Sequence, residues 1–225
     1  MTKIKKNDFI EIDYIGKIKD SNLIFDLTNE DDAKKNNLYQ KDRKYGPVVI
    51  CVGEKNILRG LDDQLIDKEA GKEYEFAIKP EHGFGKRDQK LMKLINANVF
   101  KKSNIMPMPG LQVNIDGMLG TIRSFSGGRV IVDFNHPLSD KELVYKVRIL
   151  REITDTKEKL VACMKFTNLS EDMFTVDLKT NSAKIVLKAN LEAPLRDLLK
   201  KKIQELVPKI KNLEIEVDTK KHNTQ

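Results

Sequence analysis

Two alternating stretches lie far apart in the chain and read as partners. EYEFAIK, residues 73–79, sets Tyr74, Phe76 and Ile78 on one face, and ELVYKVRIL, residues 142–150, does the same with Tyr145, Val147 and Ile149. A period of two marks a half-buried strand. Strands that share a sheet across so much chain require the intervening segment to leave and return. Residues 86–131 are therefore expected to form a small domain inserted into a loop of the first. This segment holds a lysine-rich apolar stretch (QKLMKLINANVFKK), a Met/Pro loop (NIMPMPG) and a hairpin of LQVNIDG and GTIRSFSGGRVIVDF, turning at Ser126-Gly127-Gly128.

The chain before the insert alternates in the same way. In NDFIEIDYIGKI, Ile10, Ile12 and Tyr14 oppose Glu11 and Asp13, and NLIFDLT is a second strand. Residues 29–46 are polar and read as a loop. PVVICVG is a short apolar strand ending at Gly53. In EKNILRGLDDQLIDKEAG, Ile57, Leu58, Leu61 and Leu65 recur at helical spacing, with Asn56 as N-cap and Gly71 as terminator. After Thr154 the pattern restarts: LVACMKF, MFTVDL and AKIVLKA read as strands, 191–207 as a helix with Pro194 in its first turn, and LEIEVD as a last strand. That order, β-β-β-α-β, predicts a third, α+β domain over 154–225 that ends in the polar tail KKHNTQ.

Composition narrows the class. Among 225 residues, 40% are hydrophobic and 33% charged, as in a globular protein with a heavily charged surface. No run approaches the roughly 20 apolar residues that span a bilayer, and the lysine-bearing N-terminus lacks the apolar core of a secretory signal. The net charge of +7 is spread along the chain as interspersed lysine and acid, which describes a solvated face better than a nucleic-acid surface. Cys51 and Cys163 have no CxxC or histidine company, and read as small buried residues in a reducing compartment, the cytoplasm.

YIGK, IFD, VGEKNILRGLDDQL, AG and PEHGFG occur in this order, and together they resemble the FKBP family of peptidyl-prolyl isomerases. NHPLSDKELVYKVRIL and the insertion after the GFG turn resemble its SlyD-like, long-chain archaeal branch. The likeness covers residues 5–153; residues 154–225 resemble the extra domain of the long archaeal forms. The resemblance implies an α+β fold, a twisted antiparallel sheet wrapped on a short helix at 57–65. It implies an isomerase domain of 1–85 plus 132–153, an inserted chaperone domain of 86–131, and a C-terminal domain that dimerises. The apolar helix stripe of Leu195, Leu198, Leu199, Leu206 and Val207 packs either on its own sheet or on a second copy.

The implied reaction needs no cofactor. Rotation about an amide C–N bond meets a barrier of about 18–20 kcal/mol, and X–Pro bonds have nearly balanced isomers that exchange slowly. The planar amide carries more charge separation than the twisted one, so an apolar pocket disfavours it relative to the twisted form. By the resemblance, Tyr14, Phe25, Val48, Ile57, Leu58, Leu61, Phe84 and Tyr145 are the pocket wall, with Leu61 as floor and Leu138 at the rim. Asp26 acts electrostatically on the twisted amide, and the Leu58 N–H holds the carbonyl after the proline. Val48, Leu61 and Phe84 stand where many relatives have an aromatic residue, tryptophan and tyrosine. On pattern alone, Ile57, Leu58 and Leu61 are core, Asp26 is a turn carboxylate, and Tyr14 and Tyr145 are buried strand aromatics.

His82 has no Cys, Asp or His at ligand spacing, and Gly83 and Gly85 make its turn a shaped loop presenting Phe84. His136 is a loop residue near the rim and His222 lies in the tail; no metal site is expected. In the insert, Leu94, Ile95, Phe100, Met106 and Met108, with Leu91, Met92, Val99 and Ile105, put adaptable apolar groups among lysines. They are either the insert's own core or a surface for unfolded, proline-containing chains, and so short a domain cannot hide them all. A holdase that binds peptide without catalysis is the alternative function. Nucleic-acid binding is a third reading, which predicts steep salt dependence.

Overall fold

The computed structural model describes residues 3–188 and 190–218. In chain order the elements are β1 (Phe9–Ile18), β2 (Ile24–Leu27), α1 (Glu30–Lys35), β3 (Val48–Cys51), α2 (Arg59–Asp62), β4 (Glu73–Ile78), β5 (Met92–Asn96), α3 (Ala97–Lys102), β6 (Gln112–Ile115), β7 (Met118–Ser126), β8 (Arg129–Asp133), β9 (Leu143–Glu152), α4 (Thr156–Lys165), β10 (Phe174–Lys179), β11 (Ser182–Leu187), α5 (Ala193–Leu206) and β12 (Asn212–Val217). The fold is α+β with several antiparallel ladders and few helices. The chain divides into two compact units. One holds the residues up to Lys17, Ile24–Phe76 and those from Val144 onward; the other holds Ile18–Leu23 and Ala77–Leu143.

In the first unit, β1 is central. Its N-terminal half pairs antiparallel with β3 (Phe9↔Cys51, Ile12↔Val48) and its C-terminal half with β2 (Ile15↔Leu27, Gly16↔Asp26), with a bulge after Gly16. The sheet continues through β9 to β4. The alternation read from β1 and β9 holds: Ile10, Ile12, Val147 and Ile149 are all fully buried. Between β2 and β3, where a loop was expected, Asn29 accepts from the amides of Asp31 and Asp32 and starts α1. Three acidic residues in its first turn suit the helix dipole.

The short helix expected at 57–65 begins at Arg59: α2 runs to Asp62, continues as a 3-10 turn to Leu65 and leaves helical geometry at Ile66, well before Gly71. Asn56 is not its cap: Leu58 holds that place without a side-chain bond, and Asn56 Oδ1 instead accepts from the Cys51 amide at 2.9 Å.

LVACMKF is also not a strand. It lies in α4, which Asp155 caps by accepting from the Glu158 amide at 2.8 Å, the D-x-x-E form of a helix start. Its apolar run is short enough to fit either period, and the cap decides. Leu160, Cys163 and Met164 then face inward. The order after Thr154 is therefore α-β-β-α-β. β10 and β11 are antiparallel, and α5 is the crossover that lets β12 run parallel to β11. This layer shares one core with the first sheet: Phe9, Cys51 and Ile153 pack with Leu160, Phe174, Ile185, Ile203 and Leu213.

The second unit carries an antiparallel sheet of order β5-β8-β7-β6. Its two tight hairpins turn at Asp116-Gly117 (φ 51° and 81°) and Gly127-Gly128 (φ 56° and 73°), the positive-φ pairs that two-residue hairpins require. Ala97 and Phe100 of α3 pack on Val113, Ile122, Val130 and Val132. Asp133 is buried at the end of β8. Burial pushes its pKa up, but bonds from Asn135 and from the Arg123 guanidinium (3.0 and 2.8 Å) hold it below the ordinary carboxylate value. A carboxyl lowered by folding contributes stability that is present above its unfolded pKa, near 3.9, and lost as pH falls through the folded value. Amide protection factors in β7 and β8, taken relative to the intrinsic exchange rate at each pH, are therefore expected to fall as pH drops below about 4. The fall should be smaller in Asp133→Asn; an equal one would contradict this role.

Candidate functional site

The register of β1 with β2 and the reach of β9 bring four of the expected side chains together in the first unit. Tyr14 donates to Asp26 Oδ2 at 2.8 Å. The Tyr145 ring meets the Tyr14 ring and the Phe25 ring edge to face, each at 5.7 Å between centroids. Gly16, paired with Asp26, makes this possible: a Cβ there would stand 2.8 Å from Tyr145 Cε1 and 3.0 Å from Phe25 Cζ. Arg43 donates from one nitrogen to Asp26 Oδ1 and to the Leu27 carbonyl, both at 2.7 Å. The carboxylate is thus fixed from both sides. Burial first, and the negative charge of Asp26 second, push both tyrosine hydroxyls well above their usual pKa, so they stay protonated donors. The set offers aromatic walls and one anchored charge.

A second group lies on the loop after β3. Asp62, 1% exposed, accepts from the amides of Gly53 (2.9 Å) and Lys55 (2.8 Å). With the Asn56–Cys51 bond, this clamps the segment that presents half-buried Ile57 and Leu58. Leu61 is buried at the helix start. Tyr14, Val48 and Ile57 line a groove of about 630 Å³ together with the C-terminal end of α4. Gly16, Arg43 and Asp62 were not singled out in the sequence. Only the glycine inside an alternating strand carries a signal, since such a residue marks a bulge or a close approach.

The remaining expected residues belong to the second unit. Phe84 stacks face to face on His136 (4.3 Å, 1° between planes) on a turn where Gly85 has φ +80°. The amide of half-buried Leu138 donates to His136 Nδ1 at 3.2 Å. His82 is exposed on the same turn, and His222 lies outside the described residues. Leu94, Met106 and Met108 are 61%, 76% and 53% exposed, whereas Ile95 packs partly against the unit's core. Phe100 corrects the expectation of a client-facing ring: it is 2% exposed and fills that core, because α3 lays it against β6–β8. Cys51 and Cys163 are free and buried, their thiols pushed up to about 12 by burial.

The cluster thus sets three aromatic rings around one anchored carboxylate on an antiparallel sheet. Comparison with known proteins gives the family. Residues 93–138 match the family model "FKBP26, IF domain". The chain is 32% identical to the short-type peptidyl-prolyl cis-trans isomerase of Methanocaldococcus jannaschii, over 65% of this chain and 92% of that protein. It is 26% identical to the FKBP-type isomerase SlyD of Haemophilus influenzae, over 70% and 77%. A probable FKBP-type 16 kDa isomerase of Pseudomonas fluorescens is 28% identical, over 60% and 90%. The chain belongs to the FKBP-type peptidyl-prolyl cis/trans isomerases, in their SlyD-like branch.

Proposed function

We propose that the protein isomerises X–Pro bonds in client chains at the Tyr14, Phe25, Asp26 and Tyr145 cluster, and holds those chains through its second unit. The observation that carries the catalytic reading is the fixed carboxylate among three aromatic rings. Tyr14, Phe25, Tyr145, Ile57 and Leu61 remove water from the prolyl amide, which costs the charge-separated planar form more than the twisted one. Asp26, kept in place by Tyr14 and Arg43, supplies a preorganised field at the rotating group. Each ~1.4 kcal/mol taken off the barrier speeds exchange tenfold.

The holding role rests on Leu94, Met106 and Met108, which stay exposed, as do Leu119 and Phe125, although the unit has its own core. Methionines adapt to varied apolar partners, and a tethered client raises the local concentration of its prolines. The buried free thiols suit a reducing cytoplasm.

One refolding assay on a proline-limited protein, run beside a short proline peptide, tests both roles. Asp26→Ala is expected to lose at least tenfold on both substrates. Deleting residues 88–130 should remove aggregation suppression and the advantage on the protein while sparing the peptide. Wild-type peptide turnover no greater than that of Asp26→Ala would leave the holdase reading.

The C-terminal part is proposed to pair two copies. On α5, Leu195 and Leu198 are 52% and 65% exposed and border an apolar groove of about 410 Å³ with Leu169, Leu187 and Leu191. Sedimentation should give a dimer, and Leu198→Glu a monomer; a monomeric wild type would end this part of the proposal.

A further inference from the structure

We propose that the free edge of β3 is a strand-addition site for the extended client segment next to the proline, with the end of α4 as its outer wall. This rests on the isomerase reading above.

Among the described residues β3 pairs with β1 alone. The direction of its backbone groups follows from two bonds. The Val52 amide donates to Asp8 O at 2.9 Å, toward β1, and the Cys51 amide donates to Asn56 Oδ1, away from it. Alternation along a strand therefore turns the N–H and C=O of Val49 outward. Pro47 shares that parity and has no N–H to leave bare. Asn56 closes the far end, so the edge offers one residue, Val49, able to exchange both backbone bonds with a visiting strand.

What it faces is the groove that Tyr14, Val48 and Ile57 line, so the edge is continuous with the prolyl site. The opposite wall is Lys165, Phe166 and Asn168. Phe166 is set there by stacking on Phe9, at 6.2 Å, and Lys165 by its pair with Glu171. At about 3.3 Å per residue, a client residue two or three positions from the proline reaches Val49 from Val48's side. The bonds are to backbone, so any client sequence can make them, which suits an enzyme that meets many unfolded chains. The second wall comes from residues beyond Ile153, which gives the C-terminal region a part in substrate binding.

The test uses the full chain and three peptides: capped Ala-Leu-Pro-Phe, and the same peptide lengthened by four threonines before or after it. For the wild type, one lengthened peptide is expected to give at least tenfold higher kcat/KM than the tetrapeptide. In Val49→Pro, tolerable at an edge because the lost N–H points outward, that ratio should fall near one. N-methylating alternate amides of the better peptide should abolish the gain in one register and leave it in the other. Equal turnover of all three peptides by the wild type overturns the proposal, as does an undiminished ratio in Val49→Pro. Should Val49→Pro fail to fold, the methylated pair decides, and equal tolerance of both registers overturns it. A wild type inactive on every peptide defeats the isomerase reading instead. The groove is then judged by anisotropy of a labelled lengthened peptide, whose binding must be weaker in Val49→Pro.

Discussion

Gly16→Val is expected to lower kcat/KM on a short proline peptide about a hundredfold while the protein still folds. The first added carbon would lie 2.8 Å from Tyr145 Cε1, closer than such carbons approach, and a tight 3.0 Å from Phe25 Cζ and 3.1 Å from Tyr145 Cζ. The backbone of β1 is held by strands on both sides, so the rings must give way. Overpacking of this kind costs about 1–3 kcal/mol. The functional loss is larger, because both rings are proposed as pocket walls and Gly16 pairs directly with Asp26. Shifting Asp26 breaks the 2.8 Å bond that orients it, and a misplacement of about 1 Å can cost on the order of a hundredfold. Turnover together with the thermal midpoint checks this. A folded variant with wild-type turnover would show that the rings do not form the reacting site.

Asp62→Ala should cost roughly 2–4 kcal/mol of stability, because two amides then lose their acceptor in a buried place, at about 1–3 kcal/mol each. Those amides belong to Gly53 and Lys55, at the start of the loop that carries Ile57 and Leu58. KM for peptide should therefore rise severalfold, with kcat changed less. Asp63→Ala is the control. Its side chain is 59% exposed and reaches Arg59 at only 3.7 Å, so urea midpoints should separate the two variants clearly. Equal midpoints would remove the clamp from this account.

The neighbouring aspartates show where reading a sequence stops. Both sit in GLDDQL with nothing local to tell them apart; one is buried under two amides and the other is in water. Arg43 is similar. It lies in a polar stretch that reads as loop, and only the fold brings it back onto Asp26. LVACMKF failed for a different reason. An apolar run that short fits a strand and a helix equally, and the Asp155 cap before it carried the deciding information. Asn56 looked like a helix cap because its type favours caps, yet the Cys51 amide was the better-placed donor.

The sequence by itself determined the strands before residue 79 and after residue 142 that build two of the sheets, the hairpin at Gly127-Gly128 and the family, because alternation and turn chemistry are local and are written residue by residue. Tertiary structure alone decided which acids are anchored, that Phe100 is core while Leu94 and Met106 are surface, and that α4 packs on β1 and β3. Those outcomes depend on which distant atoms compete for the same buried space and the same hydrogen bonds, and no short window of sequence contains that competition.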